Sequence, residues 1–188
     1  MSEPTLELLE RIAAVLESHR ITDFAFTGGV AVGVWAQPRQ TRDVDVCGVL
    51  PLDEVNRILS LRDGMRTGAE ELPDSVRFRV GDWDVDLFVC KDAYDRACLD
   101  RAVIVGIDHA KVRVVAVEDL LIHKMIKLRT DRRRILQDAA DLRAVIEAQR
   151  ESIDWKYLQT WLPADEAKLL ADAPTIADDE LVQRLLHR

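Results

Sequence analysis

The spacing of apolar side chains divides the chain into short segments of two different periods. Leu6, Leu8, Leu9, Ile12, Ala13 and Leu16 recur at intervals of three and four, the mark of a helix with one buried stripe, and Thr5 just ahead suits an N-cap. DFAFTGG (23–29) reads as a short strand ending in a glycine pair, and VAVGVWAQ after it as an internally packed helix stopped by Pro38. From Asp43 polar and apolar residues alternate, which is strand periodicity, and this strand is expected to run to Val49. LDEVNRILSL (52–61) patterns as a helix, and RDGMRTGAEELPD after it as a loop. VRFRVGDWDVDLFV (76–89) reads as a hairpin turning at Gly81-Asp82, DAYDRACLDRA as a short helix, and VIVGIDHAKVRVV as a second hairpin turning at Asp108-His109. From Val117 the pattern is helical almost to the end, punctuated by Pro163 and Pro174.

This order predicts an α+β fold: a small mixed β-sheet with flanking helices, extended by a C-terminal helical bundle. Residues 1–117 form the α/β core, and residues 118–188 a helical region packed on it as one unit. No internal repeat or low-complexity tract interrupts the chain. With 188 residues, 48% of them hydrophobic, it can bury a core without disulfides or metals. No run of eighteen apolar residues is present, so no membrane span is expected. The acidic, amphipathic opening MSEPTLELLERI differs from a secretory signal or a basic transit peptide, and the expected location is cytoplasmic.

Charge and reactive side chains narrow the picture. The net charge of −8 excludes a surface that is basic all over, as a general nucleic-acid binder would have. One segment departs from that trend: KMIKLRTDRRR, Lys124 to Arg134, holds six cations and one aspartate. It reads either as a solvated helix face or as a local anion site for triphosphate or RNA backbone. Cys47 and Cys90 sit within apolar runs, so the three cysteines, with Cys98, read as reduced thiols. His19, His109, His123 and His187 have no zinc-ligand spacing. Trp155 and Trp161, with Tyr157 and Leu158, read as a helix stripe packed on the core.

The candidate chemistry lies in RQTRDVDV (39–46). Two residues apart on a strand, Asp43 and Asp45 face one way with ~6.6 Å between them. Two like charges ~6 Å apart repel by about 3 kcal/mol at an effective dielectric near 20, so a cation or arginines must sit close by. Arg39 and Arg42 are at hand for such pairing, and Arg39 is equally suited to grip phosphate. A second strand, WDVDLFV, puts Asp84 and Asp86 on one face; Asp86 is preferred as the third carboxylate because Leu-Phe-Val anchors its end. Three carboxylates suit Mg²⁺, which takes oxygen ligands at about 2.0–2.1 Å and bridges to substrate phosphates. Thr27-Gly28-Gly29 lies between strand and helix, where glycine lets backbone N–H groups approach an anion.

FTGGVAVGVWAQPRQTRDVDV resembles the nucleotidyltransferase superfamily, which has the DNA polymerase beta-like fold, and within it the AbiEii/MenT-type toxin branch. That family joins a GG turn to an R-x-T-x-D-[IV]-D strand, a strand with a third Asp, an E-D-L-x-x-x-K helix and a later D-x-x-D. The last two correspond here to Glu118-Asp119-Leu120 with Lys124, and to Asp138-Ala139-Ala140-Asp141; the likeness spans roughly residues 24–142. It implies a nucleotidyltransferase-like core, with Mg²⁺ (or Mn²⁺ in its place) on Asp43 and Asp45, and Asp86 as third carboxylate and helper of the attacking hydroxyl. It also implies an NTP substrate held by Gly28 and Gly29 with Thr27, Lys124 as a nucleotide contact and Asp138 as a further acid, with Lys127 and Asp141 as their alternatives. The implied activity is transfer of a nucleoside monophosphate to a hydroxyl acceptor: tRNA for a toxin with a cognate antitoxin, or a small molecule as in antibiotic-modifying relatives. A non-catalytic nucleotide-binding or regulatory module is the third reading. Val30, where many relatives have Ser, and Gln137, where they often have Lys, depart from the pattern.

Overall fold

The computed structural model describes residues 5–41, 43–54, 57, 73–107 and 110–187. By internal contacts the chain divides into two units, Met1–Ala31 with Pro38–Val115, and Val32–Gln37 with Ala116–Arg188.

The first unit is built on a six-stranded mixed sheet of order β3-β4-β2-β1-β6-β5. Its strands are β1 (Phe24–Phe26), β2 (Asp43–Gly48), β3 (Ser75–Val80), β4 (Trp83–Val89), β5 (Val103–Ile107) and β6 (Ala110–Val114). β2 runs parallel to β4, and β1 parallel to β6; the other neighbours are antiparallel. Strand alternation does what the sequence predicts in β3, where Val76, Phe78 and Val80 are buried and the residues between them exposed. β2 differs, being buried from Val44 to Gly48, so its acidic face is largely covered as well.

Helix α1 (Leu6–Ser18) buries Leu8, Leu9, Ile12 and Leu16, and the Thr5 side chain caps it by accepting from the Leu8 N–H. It ends at Arg20, which takes a positive φ of 59°. Arg20, His19 and Arg57 then converge on the buried carboxylate of Glu54, in a single 3₁₀ turn, Leu52–Glu54. The helix expected over 52–61 is described only at that turn and at Arg57; the loop after it, Arg42 and the Asp108-His109 turn also fall largely or wholly outside the described residues. Helix α2 (Gly28–Trp35) starts at the glycine pair itself, two residues earlier than the apolar pattern suggests. Helix α3 (Ala93–Arg101) opens with a capping box between Asp92 and Asp95.

The second unit is helical: α4 (Val117–Thr130), α5 (Ile135–Gln149), α6 (Trp155–Trp161), α7 (Ala164–Asp172) and α8 (Asp178–Leu186). Leu120, Leu121, Leu142, Val145, Ile146 and Leu158 are fully buried in it. Polar ties reinforce the packing: Glu118 accepts the Asp154 N–H, Asp119 the Tyr157 hydroxyl, and Arg129 clasps Glu166. Among the described residues no helix is long and apolar enough to cross a membrane.

Candidate active site

Parallel pairing of β2 with β4 sets Asp43 beside Asp84 and Asp45 beside Asp86. Partners in a parallel register point to the same side, as do residues two apart on one strand. The four carboxylates therefore occupy one face, on a grid of ~4.8 Å across the strands and ~6.6 Å along them. At ~5 Å and an effective dielectric near 20, Asp45 and Asp86 alone repel by about 3 kcal/mol.

The opposing charge comes from β3. Antiparallel pairing places Arg77 opposite Asp86 and Arg79 opposite Asp84, on the same face. Arg77 forks onto Asp86, Nε to Oδ1 and Nη2 to Oδ2, while Arg79 Nε donates to Asp84 Oδ1 at 3.1 Å. The Arg77 guanidinium is held above its ordinary pKa, first by the Asp86 hydrogen bonds, then by the fields of Asp86, Asp84 and Asp43. The sequence predicts this neutralisation from Arg39 and Arg42, of which Arg42 lies outside the described residues. In the structure Arg39 Nη1 donates to the Gln40 carbonyl at 3.0 Å.

The glycine pair is tied to the acidic strand from both sides. The Thr27 N–H donates to the Asp45 carbonyl at 2.9 Å, continuing the β1–β2 ladder past the end of β1. Gly28 has φ +55°, and a Cβ placed there would lie 1.9 Å from Asp45 Oδ2. Only glycine fits on both counts. A Cβ on Gly29 would lie 3.0 Å from Oγ1 of Thr41, a residue 3% exposed. That hydroxyl is shared between the Asp43 carbonyl (3.1 Å) and Asp43 Oδ1 (3.2 Å). Thr41, which stands in the R-x-T-x-D pattern, thus holds Asp43 through both its backbone and its side chain. The GG turn and the DVD strand form one piece, with the Asp45 carboxylate, 6% exposed as a residue, pressed against the start of α2.

In donor chemistry these residues fit a hard divalent cation: carboxylate oxygens on one face, beside a helix start that can receive phosphate. Among the described residues no three acidic, histidine or cysteine side chains converge as a ready ligand set.

Lys124 and Asp138 belong to the helical unit. Lys124 Nζ donates to Asp138 Oδ1 at 2.9 Å and to Asp141 Oδ2 at 2.6 Å, and all three side chains are at most 7% exposed. Gln137 Nε2 adds a bond to Asp141 Oδ1 at 2.9 Å. Three more cations of the basic segment are engaged: Arg129 with Glu166, Arg133 with Asp131, and Arg132 with the Leu128 and Leu186 carbonyls. None of the three cysteines is in a disulfide; Cys47 and Cys98 are buried and Cys90 half-buried.

No protein-family model matches the sequence, and no curated protein matches it. Two solved structures are similar along nearly the whole chain. An antigenic nucleotidyltransferase-like protein from Paracoccidioides brasiliensis aligns with a TM-score of 0.50 and 18% identity, covering 100% of both chains. The antibiotic-resistance factor ANT(2'')-Ia, known from its solution structure, aligns with a TM-score of 0.47 and 17% identity over 97% of each chain. The first likeness defines the class of the fold: nucleotidyltransferase-like α+β.

Proposed function

We propose that this protein is a divalent-metal-dependent nucleotidyltransferase that moves a nucleoside monophosphate from an NTP to a hydroxyl acceptor. The observation that carries the reading is the β2–β4 register, which sets Asp86 beside Asp45 on the face where Asp45 meets the Gly28 backbone. Asp43, Asp45 and Asp86 would hold Mg²⁺, or Mn²⁺ in its place. When bound, the metal would neutralise phosphate charge and polarise the oxygens of the transfer. Gly28 and Gly29, with Thr27, present the start of α2 to the triphosphate. Thr41 orients Asp43, and Arg39 is close enough in sequence to serve as a phosphate clamp. Asp86 accepts the acceptor's proton as its oxygen bonds to the α-phosphorus; the bond from that phosphorus to the bridging oxygen breaks, and pyrophosphate leaves.

Lys124 and Asp138 enter the proposal through the family resemblance, as nucleotide contact and further acid. Their buried triad with Asp141 gives them a structural task as well. The two tasks separate experimentally, since a substrate contact moves KM and a structural triad moves the unfolding midpoint.

The toxin branch points to tRNA as acceptor and to a cognate antitoxin as partner. A small hydroxyl acceptor is favoured by a different observation: at least four of the six cations in Lys124–Arg134 make bonds within the protein, and the net charge is −8. Incubation with Mg²⁺ and each labelled NTP, in the presence of total tRNA or a panel of small hydroxyl acceptors, tests both. Transfer by the wild type that is lost in Asp45→Asn, with the fold intact by circular dichroism, supports the enzyme. Nucleotide binding without transfer to any acceptor supports the regulatory module instead. For tRNA, activity must fall steeply with salt, because each phosphate contact releases counterions; a flat response excludes it.

A further inference from the structure

Arg77 has no place in the resemblance, yet it makes a bidentate contact with the acidic face. We propose that Arg77 is a built-in counter-ion that occupies Asp86 and sets the site's affinity for the divalent cation, which competes with it for that carboxylate. This inference rests on the metal-dependent reading above.

Three observations carry it. The pairing is fixed by the sheet, because β3 and β4 are joined by the Gly81-Asp82 turn and Arg77 lies directly opposite Asp86. The contact is bidentate and engages both oxygens of Asp86, so a cation drawing on that carboxylate competes with the fork. The guanidinium side chain is 46% exposed and the carboxylate 16%, so Arg77 has open solvent to swing into when released. Arg79 on Asp84 makes the contrasting case, a single bond between side chains 60% and 43% exposed. Such open pairs are weak and easily broken. A released Arg77 remains beside the site with a planar fork suited to phosphate oxygens, so metal entry and triphosphate binding would favour one another.

The test measures Mn²⁺ binding to the full chain by the loss of the free-ion electron paramagnetic resonance signal, with and without a non-hydrolysable NTP. Arg77→Ala should bind Mn²⁺ about tenfold more tightly than the wild type, equivalent to ~1.4 kcal/mol. Arg77→Lys, which keeps the charge but loses the fork, should fall between them. Arg79→Ala should gain less than Arg77→Ala, and adding Asp86→Ala to Arg77→Ala should erase the gain. Wild-type Mn²⁺ binding that Arg77→Ala leaves equal or weaker overturns the counter-ion role while the metal-dependent reading stands. No Mn²⁺ binding by the wild type or Arg77→Ala, with or without nucleotide, overturns both. Arg77 is exposed on an edge strand, and circular dichroism of each variant verifies that the sheet is retained.

Discussion

Replacing Gly28 by alanine tests the central geometric claim, that the glycine turn and the acidic strand are a single piece. The new methyl group would lie 1.9 Å from Asp45 Oδ2, 2.6 Å from its Cγ and 2.8 Å from its Cβ, all inside the contact limit. The backbone at φ +55° adds its own penalty, roughly 1–2 kcal/mol for a residue with a Cβ. Forcing a methyl into a filled space costs typically 1–3 kcal/mol. Together these give about 3 kcal/mol, a large part of an ordinary domain's ~5–15 kcal/mol, and a fall in melting temperature of ~6–12 °C. Thermal unfolding followed by circular dichroism reads that fall directly. A double-mutant cycle with Asp45→Ala then isolates its origin, because that change removes the two closest contacts and leaves the third. The coupling should be about 1–2 kcal/mol in the favourable direction. A Gly28→Ala protein that melts with the wild type, or two changes that simply add, would refute the reasoning.

Other outcomes follow from the same coordinates. Lys124→Met should destabilise the protein by about 3–5 kcal/mol in urea unfolding, since it leaves Asp138 and Asp141 buried without their shared cation; a loss below ~1 kcal/mol would show that the triad is not structural. The Glu54 carboxyl is held below its ordinary range, first by hydrogen bonds from Arg20, against the opposing effect of burial, with help from His19 and Arg57. Its stabilising contribution is complete above the unfolded value of ~4.3 and is lost as pH falls through the lower folded value. Melting curves from pH 7 down to 3 should therefore be flatter on the acid side for Glu54→Gln than for the wild type, and parallel loss would contradict that assignment. Gly29→Ala, with ordinary backbone and a single tight neighbour in Thr41, should lose less stability than Gly28→Ala in the same thermal assay.

Much of this was legible in the sequence because it follows from periodicity. The alternation in DVDV and WDVDLFV assigns both acidic pairs to strand faces, and a two-residue turn at Gly81-Asp82 makes the β3–β4 register a matter of counting outward: 80 with 83, 79 with 84, 77 with 86. The pairing of Arg77 with Asp86 is therefore implicit in the sequence, although Arg39 and Arg42 lie nearer to Asp43 along the chain. The contact of Gly28 with Asp45 was less accessible, since it depends on β1 and β2 lying side by side, a long-range pairing that no local pattern encodes. Nor does the sequence reveal the partners of Arg129 and Arg132, because Glu166 and Leu186 lie in helices far along the chain.

The edge position of β3 has one more consequence. Its odd-numbered arginines and even-numbered hydrophobic residues share a single alignment with β4, so a slip by one residue would turn Val76, Phe78 and Val80 outward and both guanidiniums into the core. Errors in the electrical balance of the acidic face are thereby coupled to loss of hydrophobic burial, and a misaligned hairpin cannot persist as a folded but wrongly charged protein.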